Sequence, residues 1–272
     1  MSNTICPRCD SENIVKNGNT TYGKAKFMCK DCRKHFVKNP VVREISDEKK
    51  ELIDRLLLEK IPLAGIARTV QVSLRWLYSY VEEKYRSVEK EIRPVEEEVG
   101  EVEEKVGEIE EEVGGVGEEV GQIEEEEISL TIQCDEMHSF VGNKRNKYWI
   151  WLAINESTRE IVGVYIGARD RNGAQGLWDS LPPVYQQHAV IYTDFWKSYN
   201  EVFPQERHIP VGKNTGKTSY IERFNNTMRQ RISRLVRKTL SFSKKLENHT
   251  AAIWLFVHHY NSVIKKEITT AT

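Results

Sequence analysis

Cysteine is scarce in this sequence and long apolar runs are missing, and each absence excludes a class of protein. The 272 residues contain five cysteines, four of them in closely spaced pairs, which does not make a disulfide framework. No stretch reaches the roughly 18 consecutive apolar residues of a membrane-spanning helix, and the N-terminus has no apolar signal segment. The composition therefore predicts a soluble intracellular protein in a reducing compartment.

The formal net charge of −1 conceals a separation of charge along the chain. Residues 1–94 contain nineteen Lys or Arg against thirteen Asp or Glu, and residues 128–272 contain twenty against twelve. Residues 95–127 contain sixteen Glu and a single Lys. Two basic parts are thus joined by an acidic segment, and the basic parts predict a polyanionic partner.

Two CxxC pairs lie at the start of the chain, Cys6 with Cys9 and Cys29 with Cys32, and nineteen residues separate the pairs. Four thiolates at this spacing are typical of a zinc ribbon, in which the metal orders a segment that is too short for its own apolar core. Four protein ligands leave no open coordination position, so we expect a structural Zn²⁺ rather than a catalytic one. The predicted zinc ribbon covers residues 1–42.

Residues 43–94 have the signals of three short helices. Ser46 offers an N-cap to the first, and Ser73 offers one to the third, directly after a tight turn. Two short helices around a tight turn match the helix-turn-helix outline, and the third helix would present Arg75 and Trp76 to DNA. A plain helical bundle with Trp76 in its core is the alternative that the sequence leaves open.

Residues 95–127 form a low-complexity repeat in which Val or Ile recurs at alternating spacings of three and four. This is the a and d pattern of a heptad repeat. Glycine also recurs every seven residues from Gly100 onwards, and each glycine costs about 1 kcal/mol of helix stability relative to alanine. A self-associating coiled coil and a semi-flexible acidic linker are both compatible with this pattern.

From residue 128 onwards the pattern becomes that of a mixed α/β domain. We predict strands at four places, 130–135, 147–155, 160–166 and 189–194. A short helix follows the third strand, and further helices follow the fourth. This is the order expected of a ribonuclease H-like mixed sheet, here over residues 128–272.

Two of these strands are predicted to end on an acid, Asp135 and Asp194, and adjacent strands would bring the two carboxylates close together. A third acid, Glu222, is the only acidic residue between Arg207 and Lys245, where eleven Lys or Arg occur. Three carboxylates suit Mg²⁺, and two such ions can activate the attacking oxygen and stabilise the leaving one in a displacement at phosphorus. The surrounding cations would bind phosphates; they include Arg223, Arg231 and Arg234.

Neighbouring residues have alternative interpretations. Asp170 is the best substitute for Asp194 as a ligand, although ion pairs with its two flanking arginines are the simpler account. Trp196 could stack on a displaced base, but packing is the favoured interpretation. Cys134 is expected to point away from Asp135 into the core, because side chains alternate along a strand.

The sequence resembles transposases of the insertion-sequence IS-one family in three strings, CDEMHSFVGNKRNKYWIWLA, YTDFWKSYNEVFP and GKTSYIERFNNTMRQRISRLVRKTLSFSKKLENH. The zinc ribbon followed by a helix-turn-helix shares this resemblance. The resemblance implies a DDE transposase in which Asp135, Asp194 and Glu222 bind the catalytic Mg²⁺ or Mn²⁺. It also implies that Arg229, about two helical turns past Glu222, holds a substrate phosphate near the metals.

Such a transposase is expected to bind the terminal inverted repeats of its element, to cleave the 3′ ends and to join them to target DNA. The resemblance also implies a cytoplasmic, nucleoid-associated protein of a prokaryote, and a homo-oligomer that is at least a dimer when two ends are paired. The acidic repeat is the main departure from the family. Two alternatives stand beside this reading: a DNA-binding regulator with a relic ribonuclease H-like domain, and a nuclease without joining activity.

Overall fold

The computed structural model describes residues 4–20, 23–38, 44–92, 130–235 and 243–271. The chain divides into two compact units, Met1–Asp47 and Glu48–Thr272. The predicted acidic linker at 95–127 lies outside the described residues.

The first unit contains a small antiparallel sheet. Its strands are β1 (Ile14–Asn19), β2 (Ala25–Cys29) and β3 (His35–Val37), with β2 in the centre. Phe27 and Phe36 are paired across β2 and β3, and their ring centroids lie 6.0 Å apart. The central strand ends on Cys29, so the second CxxC pair lies where the chain turns from β2 to β3.

Three helices open the second unit, α1 (Asp47–Leu57), α2 (Leu63–Val70) and α3 (Leu74–Ser87). Gln71 makes the turn between α2 and α3 in the left-handed conformation, with φ at 57°. Ser73 then caps α3, because its Oγ accepts a hydrogen bond from the backbone N–H of Trp76 at 3.2 Å. Ile53 and Leu77 are fully buried between the helices. The predicted helices and the Ser73 cap are present, and the helix-turn-helix assignment stays a prediction.

A five-stranded sheet forms the centre of the second unit. Its strands are β4 (Thr131–Phe140), β5 (Lys147–Asn155), β6 (Ile161–Gly167), β7 (Val190–Thr193) and β8 (His208–Pro210). They lie in the order β6-β5-β4-β7-β8. The strands β4, β5 and β6 are antiparallel neighbours, whereas β7 runs parallel to β4 and β8 runs parallel to β7. The domain is therefore mixed α/β, as the sequence predicts.

The prediction that a strand ends at Asp135 is wrong, because β4 continues to Phe140. Pairing explains the extension: β4 pairs with β5 without a break from Ile132 to Phe140. Met137 and Ser139, beyond the acid, are buried. Asp135 therefore lies in the middle of a strand, where the backbone hydrogen bonds on both sides hold it.

Five more helices are described after the first strand of this sheet: α4 (Arg171–Asp179), α5 (Pro183–His188), α6 (Lys197–Asn200), α7 (Ser219–Arg231) and α8 (Leu246–Ala271). Leu152 of the sheet packs in one apolar cluster with residues of α7 and α8. Trp151 and Cys134 belong to a second cluster with residues of α4, α5 and α6, on the opposite face. Cys134 is thus a buried core residue, as predicted. Ala251 and Ala252 of α8 also join the core of α1, α2 and α3.

Within the described ranges, no helix combines the length and the apolar composition that crossing a membrane requires.

Candidate active site

Asp135, Asp194 and Glu222 line one cleft of about 350 Å³. Asp135 lies in the middle of β4, Asp194 follows β7 directly, and Glu222 lies in the first turn of α7. The strands β4 and β7 are parallel neighbours with Gln133 opposite Tyr192, so the two aspartates follow this pair on adjacent strands. The cleft is also lined by Arg169, Lys213, Thr218, Asn225, Asn226 and Arg229.

Each of the three acids accepts a hydrogen bond from a different neighbour. The bonds run from Asn225 Nδ2 to Asp135 Oδ2 at 2.7 Å, from the Trp196 backbone N–H to Asp194 Oδ1 at 2.9 Å, and from Thr218 Oγ1 to Glu222 Oε1 at 3.1 Å. Among the residues that the structure describes, the four cysteines are the only group of three or more His, Cys, Asp or Glu side chains that are close enough to hold one metal ion. The three carboxylates thus share the cleft while their side chains are held by separate partners.

The electrostatics of the cleft favour a cation. The pKa of Asp135 is raised to about 7, first by burial and then by the nearby charge of Glu136, with a smaller contribution from Asp194. A positive charge in the cleft would favour the ionised carboxylate and reverse this shift. Carboxylate oxygens are the ligands that Mg²⁺ and Mn²⁺ prefer. By the type of donor atom, the carboxylates of this cleft therefore suit a hard divalent ion.

Two buried amides, which the sequence analysis did not single out, connect β4 with α7. Gln133 is fully buried, and its Oε1 accepts hydrogen bonds from two backbone N–H groups in the first turn of α7, at 3.0 and 3.3 Å. It satisfies donors that the N-terminus of a helix leaves without a partner. Asn225, further along α7, donates to Asp135. Their only signal in the sequence is that each is a polar residue within an apolar stripe.

A second polar cluster, which no motif in the sequence indicates, borders the same cleft from the other face of β4, and its members Glu136 and Arg169 both line the cleft. The Glu136 side chain is 1% exposed, forms an ion pair with Arg169 and accepts a hydrogen bond from Tyr199 Oη at 2.7 Å. Burial raises the pKa of Glu136, although its bonds to Tyr199 and Arg169 oppose the shift. The Arg169 guanidinium carbon lies 4.5 Å from the ring centroid of Trp149 and 3.8 Å from that of Trp196. Trp196 therefore packs, as the favoured interpretation predicts.

Asp170 does not line the cleft. It is the N-cap of α4, where its Oδ1 accepts a hydrogen bond from the backbone N–H of Gly173 at 3.0 Å. The expected ion pair with Arg169 is wrong, because the guanidinium of Arg169 pairs with Glu136 instead. The reason is burial. The carboxylate of Glu136 is almost fully enclosed, so leaving it without a cation would cost more free energy than leaving the exposed carboxylate of Asp170 without one.

Arg229 lines the cleft from the same helix as Glu222. Lys213, in the segment before α7, contributes a second cation to the lining. Arg223 is exposed on α7, with its guanidinium carbon 6.0 Å from the ring centroid of Tyr220. These positions suit contacts with phosphates, and the roles of Arg229 and Arg223 stay predictions.

Arg231 and Arg234 were also predicted to bind DNA. Both contact residues of the segment that contains α1, α2 and α3. Arg231 forms an ion pair with Glu59 at 2.8 Å, and Arg234 lies 5.5 Å from the ring centroid of Tyr85. Both guanidinium groups thus have partners within the protein. Their part in DNA binding stays a prediction that these contacts do not support.

The four cysteines of the first unit form a cluster with the composition of a structural zinc site. Cys6 Sγ lies 3.5 Å from Cys32 Sγ, and Cys9 Sγ lies 3.7 Å from Cys29 Sγ. All four sulfurs lie within 4.8 Å of one another. The pKa of Cys29 is lowered to about 7, chiefly by a hydrogen bond from the backbone N–H of Cys32, whereas, against a hydrogen bond from the backbone N–H of Ser11, the neighbouring thiols raise the pKa of Cys9 to about 12. The cluster fits Zn²⁺.

On α3, Arg75 is exposed, whereas Trp76 is half-buried. The Trp76 ring stacks on Tyr80 with centroids 5.2 Å apart and packs against the core of α1, α2 and α3. Trp76 thus has a packing role. Its predicted contact with DNA, like that of Arg75, stays a prediction.

Comparisons with known proteins agree with this organisation. The family model of the IS1 transposase matches residues 129–261, and that of the InsA N-terminal domain matches residues 2–33. The insertion element iso-IS1n protein InsB of Shigella dysenteriae is 35% identical over 135 residues, which are 49% of this chain and 98% of that protein. The insertion element IS1 4 protein InsB of Escherichia coli (strain K12) is 31% identical over 137 residues, 49% of this chain and 78% of that protein.

The IS1 transposase match thus includes the mixed sheet and its acidic cleft, and the InsA N-terminal domain match includes the four-cysteine cluster. The chain belongs to the IS1 transposase family.

Proposed function

We propose that this protein cleaves DNA at the ends of an insertion element and joins the freed 3′ ends to target DNA. The observation that carries the proposal is the cleft shared by Asp135, Asp194 and Glu222, in a chain of the IS1 transposase family. The strand order β6-β5-β4-β7-β8, with β7 parallel to β4, supports a ribonuclease H-like assignment of residues 128–272.

Asp135, Asp194 and Glu222 would hold Mg²⁺ or Mn²⁺ in this cleft. When bound, two such ions activate the attacking oxygen and stabilise the leaving oxygen of a displacement at phosphorus. The chain itself supplies position: Asn225 orients Asp135, and Arg229 would bind a phosphate of the DNA within the same cleft. Hydrolysis of an end and attack by a 3′-OH both exchange one oxygen for another at phosphorus, so one site serves both reactions.

The N-terminal segments would bind the terminal inverted repeats. The zinc ribbon of residues 1–42, ordered by Zn²⁺ on its four cysteines, and the helix-turn-helix of residues 43–94 are adjacent in sequence. The ribbon is the more basic of the two, with eight Lys or Arg against three Asp or Glu. Arg75 is exposed on the second helix of the helix-turn-helix, where a side chain can reach base edges in the major groove. Joining two ends requires at least two active sites, so the working form would be a homo-oligomer, at least a dimer.

The proposal is tested by a strand-transfer assay with the purified full-length chain. A duplex with the element's terminal repeat and a pre-cut 3′-OH is mixed with target DNA and Mg²⁺ or Mn²⁺, and joined product is measured on a denaturing gel. Asp135→Asn, Asp194→Asn and Glu222→Gln are each expected to reduce joining to background while end binding in a gel-shift assay is unchanged. Asp179→Asn, which removes an exposed carboxylate on α4, is the matched control and is expected to join like wild type.

Joining by any of the three cleft variants would refute the assignment of that acid. Binding of the pre-cut duplex without joined product by the wild type would refute the transposase proposal. The same duplex supplied uncut then separates the alternatives, because cleavage without joining would favour a nuclease and binding without cleavage would favour a DNA-binding regulator.

A further inference from the structure

One large apolar side chain stands out at the rim of the cleft. Phe195 is 70% exposed, the highest value among the exposed large apolar residues that the structure describes. It lies between Asp194, which lines the cleft, and Trp196, which packs under Arg169. Single exposed apolar residues are common on protein surfaces, so exposure alone says little. The position beside a predicted catalytic acid is what calls for an explanation.

The backbone around Phe195 is fixed by its neighbours. The backbone N–H of Trp196 donates to Asp194 Oδ1 at 2.9 Å, which closes a tight turn around Phe195. Before the turn, Thr193 Oγ1 donates to the Asp194 carbonyl at 2.7 Å and lies 2.7 Å from His208 Nε2 in the interior. Because Asp194 and Trp196 on either side are anchored by hydrogen bonds, the turn fixes the backbone of Phe195, and the Phe195 ring points outward.

The surroundings of the ring suit a nucleotide. A Cβ atom placed on Gly212 would meet Phe195 Cε2 at 3.8 Å, so the ring lies beside the backbone of Gly212. The next residue, Lys213, is exposed and lines the cleft. An aromatic face and a cation at one rim are the two components with which proteins bind single-stranded nucleotides, since the base stacks and the phosphate pairs with the charge.

We propose that Phe195 is a nucleobase-stacking site, which receives a base displaced from the duplex next to the phosphate held in the cleft. This inference rests on the proposed function, because it takes the cleft to be the place where DNA is cut. By sequence alone Trp196 is a candidate for the same role; the structure favours its neighbour Phe195, because the Trp196 ring is covered by the Arg169 guanidinium. Stacking is tolerant of sequence, so the ligand class is an unpaired base of any identity with its phosphate.

The test is a binding assay and needs no catalysis. Two probes are made from one duplex of about 30 bp. One probe is fully paired, and the other contains a single unpaired 2-aminopurine. The full-length wild type, without added Mg²⁺, is expected to bind the probe with the unpaired base more tightly and to quench its 2-aminopurine fluorescence. Phe195→Ala is expected to lose about tenfold in affinity for that probe and to leave its fluorescence unquenched, with unchanged affinity for the paired duplex.

Phe195→Trp is expected to restore both the preference and the quenching, because an indole also stacks. Ile209→Ala, which truncates another exposed apolar side chain on the neighbouring strand β8, is the matched control and is expected to behave like wild type. A wild type that binds both probes equally, or a Phe195→Ala variant that keeps the preference, would overturn the stacking site while leaving the proposed transposase function standing. A wild type that binds neither probe would overturn both.

Discussion

Replacing Asn225 by alanine tests how the cleft holds its first acid. Asn225 is 6% exposed, and its Nδ2 donates a hydrogen bond to Asp135 Oδ2 at 2.7 Å. A hydrogen bond to a charged group contributes about 1.5–3 kcal/mol. If Asp135 must keep this orientation in the transition state, the loss predicts a rate of end cleavage that is lower by about 10- to 100-fold.

The same substitution is expected to change stability far less. Asn225 Oδ1 is buried without a hydrogen-bond partner in the described structure, and such an unpaired atom costs about 1–3 kcal/mol. Removing it offsets the lost bond, so the free energy of unfolding is expected to change by about 1 kcal/mol or less. Gln133→Leu is expected to lower the free energy of unfolding. Two buried backbone N–H groups of α7 lose their acceptor in this variant, at a cost of about 1–3 kcal/mol each.

The assay measures cleavage of a labelled terminal-repeat duplex over a range of Mg²⁺ concentrations, with thermal unfolding followed in parallel by circular dichroism. Asn225→Ala is expected to unfold like wild type and to cleave slowly, whereas Gln133→Leu is expected to lose stability as well as activity. Gln230→Ala, which removes an exposed amide on the same helix, is the control. Cleavage by Asn225→Ala at the wild-type rate, at both limiting and saturating Mg²⁺, would show that the bond from Asn225 does not position Asp135 for the reaction.

Two further predictions concern the cysteine cluster and a buried histidine. Cys29→Ser is expected to lose the bound zinc that atomic absorption detects in the wild type, whereas Cys134→Ala, outside the cluster, is expected to keep it; equal zinc contents would contradict the site. His249 is fully buried, and burial together with the charge of Arg234 lowers its pKa to about 4. Because the unfolded chain takes up this proton near the ordinary pKa of about 6.5, stability is expected to fall by about 3 kcal/mol as the pH drops from about 6.5 to about 4. Chemical unfolding at several pH values would show this loss flattened in His249→Phe and unchanged in the exposed control His188→Phe.

Features that depend on local chemistry could be predicted from the sequence. The spacing of the cysteine pairs predicts the cluster that the structure forms, because four thiolates in two short loops have few other arrangements. Ser73 caps α3 as expected, since an N-cap involves only the next three residues. Glu222 and Arg229 both line the cleft, because seven residues are about two helical turns.

Features that depend on distant partners could not be predicted. An acid in the middle of a sequence such as TIQCDEMHSF is read as the end of a strand, since buried charges are rare without a partner. The partners exist but lie far along the chain: Arg169 and Tyr199 for Glu136, and Asn225 for Asp135. No spacing rule connects these positions. The residues near Asp135 in the sequence therefore predict neither the full length of β4 nor the polar clusters beside it.

A short stretch of β4 is connected to all three acids of the cleft. It carries Asp135 itself, and Gln133, two residues earlier, accepts the hydrogen bonds that cap the helix of Glu222. Glu136 faces the other way and holds Arg169 over the Trp196 ring.

The backbone N–H of Trp196 in turn fixes Asp194. Each acid therefore takes its position from the same central strand, one directly, one through a helix cap and one through a packed arginine. The contacts that hold the three carboxylates thus lead back to β4, which pairs with β5 on one side and with β7 on the other. A change at Gln133 or Glu136 is expected to act on the cleft through Glu222 or Asp194 respectively, although neither side chain needs to touch the DNA.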